Sequence, residues 1–132
     1  TMKPFYFKFK KFGDFSGYLN PFYVNKSFPN KFRLKRFFFI FGKKKYFRAD
    51  HAHKKCDQII IPIKGKIKIT LMNRKKKIYY ISQKLMKGLY VPKKNWIKIN
   101  FYKDLDCVLV LCNYKYDKKE YISSYSDFIK KY

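Results

Sequence analysis

Lys66-Ile67-Lys68-Ile69-Thr70-Leu71 alternates charged or polar with apolar residues at every step. Successive side chains of an extended strand point to opposite faces, so this hexapeptide presents one dry face and one wet face. The same alternation recurs in Phe7-Lys8-Phe9-Lys10 and in Ile97-Lys98-Ile99-Asn100-Phe101. Further strand-length apolar stretches run over 34–41, 58–63, 78–82, 89–91 and 107–113. Turn formers separate them: Gly13-Asp14, Asn20-Pro21, Pro29-Asn30, Gly42, Asn73-Arg74, and Pro92 with Asn95. Many short strands at this spacing predict an all-β sandwich or barrel. Only residues 118–132 carry a helical rhythm, through Tyr121, Ile122, Tyr125, Phe128 and Ile129, which predicts a short C-terminal helix. No repeat or linker interrupts the pattern, so residues 1–132 are expected to form one domain.

A chain of 132 residues buries about two-thirds of its unfolded surface and needs no staples. Hydrophobic content of 47% and aromatic content of 22% exclude a disordered chain despite the charge. No run reaches the roughly 18 uncharged apolar residues of a membrane span. The start lacks the apolar block of a signal peptide, and Thr1, ahead of Met2, reads as a cloning remnant. The three cysteines are odd in number, and Cys107 and Cys112 should face opposite sides of one strand. Cys56 has no partner at disulfide or zinc spacing, so reduced thiols in a cytoplasmic protein are expected.

The net charge is +25. Its four arginines are Arg33, Arg36, Arg48 and Arg74, and lysine supplies the rest of the 33 basic residues. Base and phosphate readout leans on arginine forks, and these lysines are spread along the whole chain. Specific nucleic-acid binding is therefore not expected. The charge does favour the gathering of anionic ligands.

The two histidines of the chain stand together in Arg48-Ala49-Asp50-His51-Ala52-His53-Lys54. In a strand both imidazoles project into one space. Gln58 follows five residues after His53, and Gly65 seven further on. This order resembles the first signature of the cupins, which close a small jelly-roll barrel around a site. Gly88-Leu89-Tyr90-Val91-Pro92 resembles the second signature, whose final ligand would fall on Ile97. With glutamine and isoleucine at two ligand positions, the remaining donors suit zinc or iron poorly. Asp50 should point to the other face and cannot complete the set. The expectation is a barrel with no metal and no cofactor, whose histidines serve as acid and base near neutral pH.

Over residues 14–125 the chain is more closely similar to the cupin sugar 3,4-ketoisomerases that act on dTDP-4-keto-6-deoxyglucose. The resemblance is carried by Gly17-Tyr18-Leu19, Leu34-Lys35-Arg36 before an aromatic strand, Arg48 through Lys55, Gln58 and Gly65. It continues through Gly88-Leu89-Tyr90-Val91, Trp96, Tyr116-Asp117, Glu120-Tyr121-Ile122 and Tyr125. It implies a dimeric, cytoplasmic, metal-independent isomerase that moves a ketone from C4 to C3 through an enediol. Its product would feed the making of 3-amino-3,6-dideoxy sugars for surface glycans. On this basis His51 is expected to transfer the carbon-bound proton and His53 the oxygen-bound one. Arg36 and Arg48 would meet the diphosphate, and Gln58 would orient a histidine or hydroxyl. Tyr90 and Trp96 would pack against thymine or sugar, or else serve as core aromatics. The aromatic stretch Phe5 to Phe12 is expected to pair across a dimer.

Departures from the family pattern are Phe37, Phe38 and Phe39 where tyrosines are usual, Ala49 for glycine, and Tyr23 for an acid. Ser16 and Ile97 stand at positions tied to product stereochemistry. They leave open a nucleotide-sugar-binding or epimerase-like relative.

Overall fold

The computed structural model describes residues 2–132; Thr1 lies outside them. The amino-terminal third holds β1 (Phe5–Lys8), β2 (Phe12–Asp14), β3 (Gly17–Leu19) and β4 (Arg36–Phe41). Then come β5 (Phe47–His53), β6 (Gln58–Lys64), β7 (Lys66–Asn73) and β8 (Lys75–Ser82). After β9 (Lys87–Val91), β10 (Trp96–Phe101) and β11 (Cys107–Cys112), the chain ends in β12 (Tyr121–Ile122) and α1 (Tyr125–Lys131). No helix among the described residues is long and apolar enough to cross a membrane.

All pairings are antiparallel, in the order β12-β5-β10-β7-β8-β9-β6-β11-β4, with β1 added to β9 and β2–β3 as a separate hairpin. The sheet curls so that side chains from its two ends, β4 on one side and β5 with β12 on the other, line one cavity. This is the expected all-β architecture. Its interior is built by the alternating positions Ile67, Ile69 and Leu71 of β7, Ile97, Ile99 and Phe101 of β10, and Val108, Val110 and Cys112 of β11. Burying each large aliphatic side chain is worth about 1.5–3 kcal/mol, which is what pins the register in a strand whose other face is lysine.

Strand β6 lacks alternation because both of its faces are covered. Ile60 enters the interior, whereas Ile59 and Ile61 turn outward under Phe7, Phe9, Phe28 and Phe32. The aromatic amino-terminal segment is therefore a lid on the outer face of β6, β9 and β11. Its first strand pairs with β9 of the same chain, Phe5 opposite Tyr90. The other edge of β1 has no partner strand among the described residues.

The helical rhythm of the tail resolves into three pieces. A 3₁₀ turn over Lys118–Glu120 leads into β12, which pairs Tyr121 with His53 and Ile122 with Ala52. Only then does α1 begin, with Ser124 accepting from the Asp127 backbone N–H as its N-cap. Phe128 and Ile122 cover Trp96 and Ala52 on the outer face of the sheet. The helix is short because two residues of its expected span are held by β5 instead.

One irregularity aims the histidine strand. Ile97 pairs with His51 but Lys98 pairs with Ala49, so Asp50 is the extra residue of a bulge. Ala49 and Asp50 both have positive φ, 71° and 62°. An alanine is strained in that region by about 1–2 kcal/mol, whereas glycine is not. This gives a physical reason for the glycine usual at this position. Ala49→Gly should therefore raise the unfolding free energy, by about 1 kcal/mol after the unfolded-state entropy of glycine is subtracted. Urea unfolding of the two proteins reads this directly, and a fall in stability would contradict it.

Candidate active site

Strand β5 carries both histidines on its inner face, with ring centroids 4.9 Å apart and planes nearly perpendicular at 88°. They are not equivalent. His51 lies on the wall of a cavity of about 700 Å³ that also meets Arg36, Phe38, Arg48, Gln58, Tyr116 and Tyr121. His53 sits behind it, 4% exposed. Its Nδ1 donates to Glu120 Oε2 at 2.5 Å. Glu120 is the only glutamate of the chain and is itself buried. Its other oxygen accepts from the backbone N–H groups of Lys55 and Cys56, each at 3.1 Å. A carboxylate held in this way fixes the imidazole tautomer, with the proton on Nδ1 and the lone pair on Nε2. Nε2 makes no hydrogen bond among the described residues.

Tyr121 follows Glu120 and is positioned by the β12–β5 pairing. Its ring lies 4.4 Å from His53 and 5.1 Å from His51. Its hydroxyl accepts from Arg36 Nη2 at 2.9 Å. The Arg36 guanidinium is further framed by the Phe38 and Tyr116 rings, at 5.0 and 5.4 Å. A fixed positive charge thus stands at the cavity beside both imidazoles.

Burial pushes His51 down to about 4, with the neighbouring His53 adding to the effect and Asp50 and Glu120 opposing it. His53 is also lowered, again mainly by burial, against the pull of Glu120. Both rings are therefore neutral at pH 7 and can accept a proton.

Alternation decides which of the other sequence-derived residues reach the cavity. Arg36, Arg48 and Gln58 do. Tyr90 and Trp96 do not line it. Leu89 and Val91 point into the interior, so Tyr90 points out, stacked on Phe5 and donating its hydroxyl to Asp57 at 2.8 Å. Ile97 likewise occupies the interior, so Trp96 packs outside against Phe128 and donates its indole N–H to Asp50 at 3.0 Å. Glu120, Tyr121 and Tyr116, quoted above as parts of the family pattern but given no role there, complete the site. The uniqueness of Glu120 was the available signal.

At the cupin metal positions Ile97 offers no donor and the Gln58 amide turns its Nε2 to Cys112 Sγ at 3.6 Å, which leaves the two imidazoles without a carboxylate or a third nitrogen. This set does not fit the cupin metal.

The family described as FdtA, WxcM-like C-terminal, matches residues 2–132. The chain belongs to that family. A curated relative, the TDP-4-oxo-6-deoxy-α-D-glucose-3,4-oxoisomerase of Aneurinibacillus thermoaerophilus, is 36% identical over 128 residues. The match spans 94% of this chain and 88% of the relative. Among solved structures, QdtA, a sugar 3,4-ketoisomerase of Thermoanaerobacterium thermosaccharolyticum in complex with TDP, superposes with a TM-score of 0.88 at 30% identity. That match covers 97% of this chain and 93% of the other. A His-to-Asn variant of the same enzyme, holding TDP-4-keto-6-deoxyglucose, matches at TM-score 0.88 and 29% identity over 97% and 92% of the chains. The fold of this FdtA-family chain is thus that of the cupin-type ketoisomerases.

Two consequences are measurable. Glu120→Ala leaves the His53 N–H and two backbone N–H groups without their acceptor, which should lower stability by about 3 kcal/mol in chemical unfolding. The second concerns pH. His51 has His53 beside it on its own strand and Asp50 next to it on the opposite face, with Tyr121, Glu120 and Arg36 from the packed elements. Its folded pKa of about 4 lies below the ordinary 6.5. The unfolded chain takes up that proton first, so this contribution to stability is complete above pH 6.5 and is lost as the pH falls toward 4. His51→Asn should show a smaller loss across that window. Equal slopes would contradict the assignment.

Proposed function

We propose that this protein is a TDP-sugar 3,4-ketoisomerase acting on TDP-4-keto-6-deoxyglucose. The observation that carries the reading is the pair of neutral imidazoles, one on the cavity wall and one braced behind it by Glu120. Moving a ketone from C4 to C3 requires a proton to leave C3 and a proton to arrive at C4. The intermediate enediol also shifts a proton between the two oxygens. His51, on the wall, takes the C3 proton and returns it to C4. His53, with its lone pair on Nε2, serves the oxygens, and Glu120 stabilises the imidazolium that forms. A weakly basic His51 is strengthened when the dianionic diphosphate binds nearby, because opposite charge favours the protonated ring.

Arg36 and Arg48 are the cationic groups of the cavity that can pair with the diphosphate, and Gln58 provides a neutral hydrogen-bonding group. The complexes of the Thermoanaerobacterium enzyme with TDP and with TDP-4-keto-6-deoxyglucose support this substrate class. Three free, buried cysteines fit a reducing compartment, the cytoplasm. The chain works as a homodimer in this account. β4 pairs only with β11 and exposes Phe37, Phe39 and Phe41, an apolar edge of the kind that a second copy covers.

His51→Asn should lower turnover of TDP-4-keto-6-deoxyglucose by about 10²–10⁴-fold, the range of a lost general base, while calorimetric affinity for TDP stays within a few fold. Arg48→Ala should do the reverse and weaken TDP binding. Undiminished turnover in His51→Asn would overturn the assignment.

A further inference from the structure

In the resting site both imidazoles are acceptors. His53 keeps its proton on Nδ1 against Glu120, and its buried Nε2 has no partner among the described residues. His51 must present a lone pair to take the C3 proton. Neither ring can then give a proton to the C4 carbonyl oxygen, which gains charge as C3 is deprotonated and must end as a hydroxyl of the enediol. Arg36 and Arg48 donate hydrogen bonds but do not give up a proton, and Gln58 turns its amide nitrogen to Cys112 Sγ. The remaining protic groups of the cavity are the phenols of Tyr116 and Tyr121. Tyr116 is 62% exposed, whereas Tyr121 is half-buried and held by backbone pairing to His53.

We propose that Tyr121 is the acid of the isomerisation, its hydroxyl protonating the C4 oxygen while His51 removes the C3 proton. This role rests on the ketoisomerase reading. The hydroxyl accepts from Arg36 Nη2 at 2.9 Å. A guanidinium only donates, so that bond occupies a lone pair of the oxygen and leaves the phenolic proton unused. Burial raises the phenol above its ordinary value, against the pull of Arg36, so the proton is in place at neutral pH. When it leaves, the phenolate is paired with the guanidinium that it already touches. The ring lies 4.4 Å from His53 and 5.1 Å from His51. A sugar ring resting against His51 therefore rests beside this phenol.

The protons balance without a co-reactant. His51 takes the proton from C3, the C–H electron pair becomes the C3–C4 double bond, and the carbonyl pair moves to O4, which takes the Tyr121 proton. His53 Nε2 then takes the O3 proton. The freed O–H pair closes the C3 carbonyl, and the double-bond pair takes the proton from His51 at C4. O4 keeps the proton that Tyr121 gave. The His53 imidazolium returns the O3 proton to the Tyr121 phenolate, which restores all three side chains. Glu120 supports His53 while it is charged, and Arg36 supports Tyr121.

Tyr121→Phe removes the hydroxyl and keeps the ring over the histidines. It should lower kcat for TDP-4-keto-6-deoxyglucose by about 10²–10⁴-fold, the range of a lost general acid, with KM and calorimetric TDP affinity within a few fold. A second variant, with 3-fluorotyrosine at position 121, keeps ring and hydroxyl but makes the phenol a stronger acid, and should change kcat without changing TDP affinity. The hydrogen bond itself is read by carbon-13 NMR of sugar labelled at C4 and bound to His51→Asn. Its carbonyl resonance should lie downfield of the free ketone and return toward it when Tyr121→Phe is added. Full turnover by Tyr121→Phe, or a carbonyl resonance indifferent to it, overturns the role of Tyr121 and leaves the isomerase reading standing. An unsubstituted protein that leaves the sugar unchanged refutes that reading, and this role with it.

Discussion

The hydrogen bond from His53 Nδ1 to Glu120 joins the middle of the chain to its carboxy-terminal end across the wall of the barrel. With Glu120 also clamped by the Lys55 and Cys56 N–H groups, the 3₁₀ turn is locked against the end of β5. The next residue, Tyr121, then has one place to go, over both imidazoles, where its hydroxyl meets Arg36. One buried carboxylate thus fixes a tautomer, a tyrosine and, through it, an arginine. Buried polar networks of this kind stand or fall together, because a partly satisfied one is worse than none.

The second constraint is the two-residue period of the strands. It brings His51 and His53 to one face and sends Asp50, held in its bulge, to the other. It also determines which aromatics can take part in binding. Because Ile97, Leu89 and Val91 fill the interior, Trp96 and Tyr90 are committed to the outer faces, where Phe128 and Phe5 pack on them. What remains around the histidines is an apolar wall of Phe38, Ile99 and Val110 with charge supplied by Arg36 and Arg48. That composition suits a deoxy sugar that carries an anionic diphosphate.

Much of this was legible in the sequence, and the reason is local. Alternation in Lys66–Leu71 or Ile97–Phe101 is written into neighbouring residues, as is the spacing of His51 and His53. Glu120 was not legible as their partner because it lies 67 residues from His53, a separation that only the β12–β5 pairing closes. The tail misled for a related reason: Tyr121 and Ile122 fit a helical rhythm, but pairing with β5 outweighs that local preference. Tyr90 and Trp96 lie in motifs near the site, and only the direction of their neighbours shows that they face away from it.

The central claim is that His51 carries a proton between two ring carbons of a nucleotide-linked keto sugar. Proton NMR of TDP-4-keto-6-deoxyglucose incubated with the protein in deuterated water tests it most directly. The account predicts new 3-keto resonances, with deuterium at C4 to the extent that the proton held by His51 exchanges with solvent, and neither with His51→Asn. Exchange at C3 without a 3-keto product, or no 3-keto product at all, would contradict it.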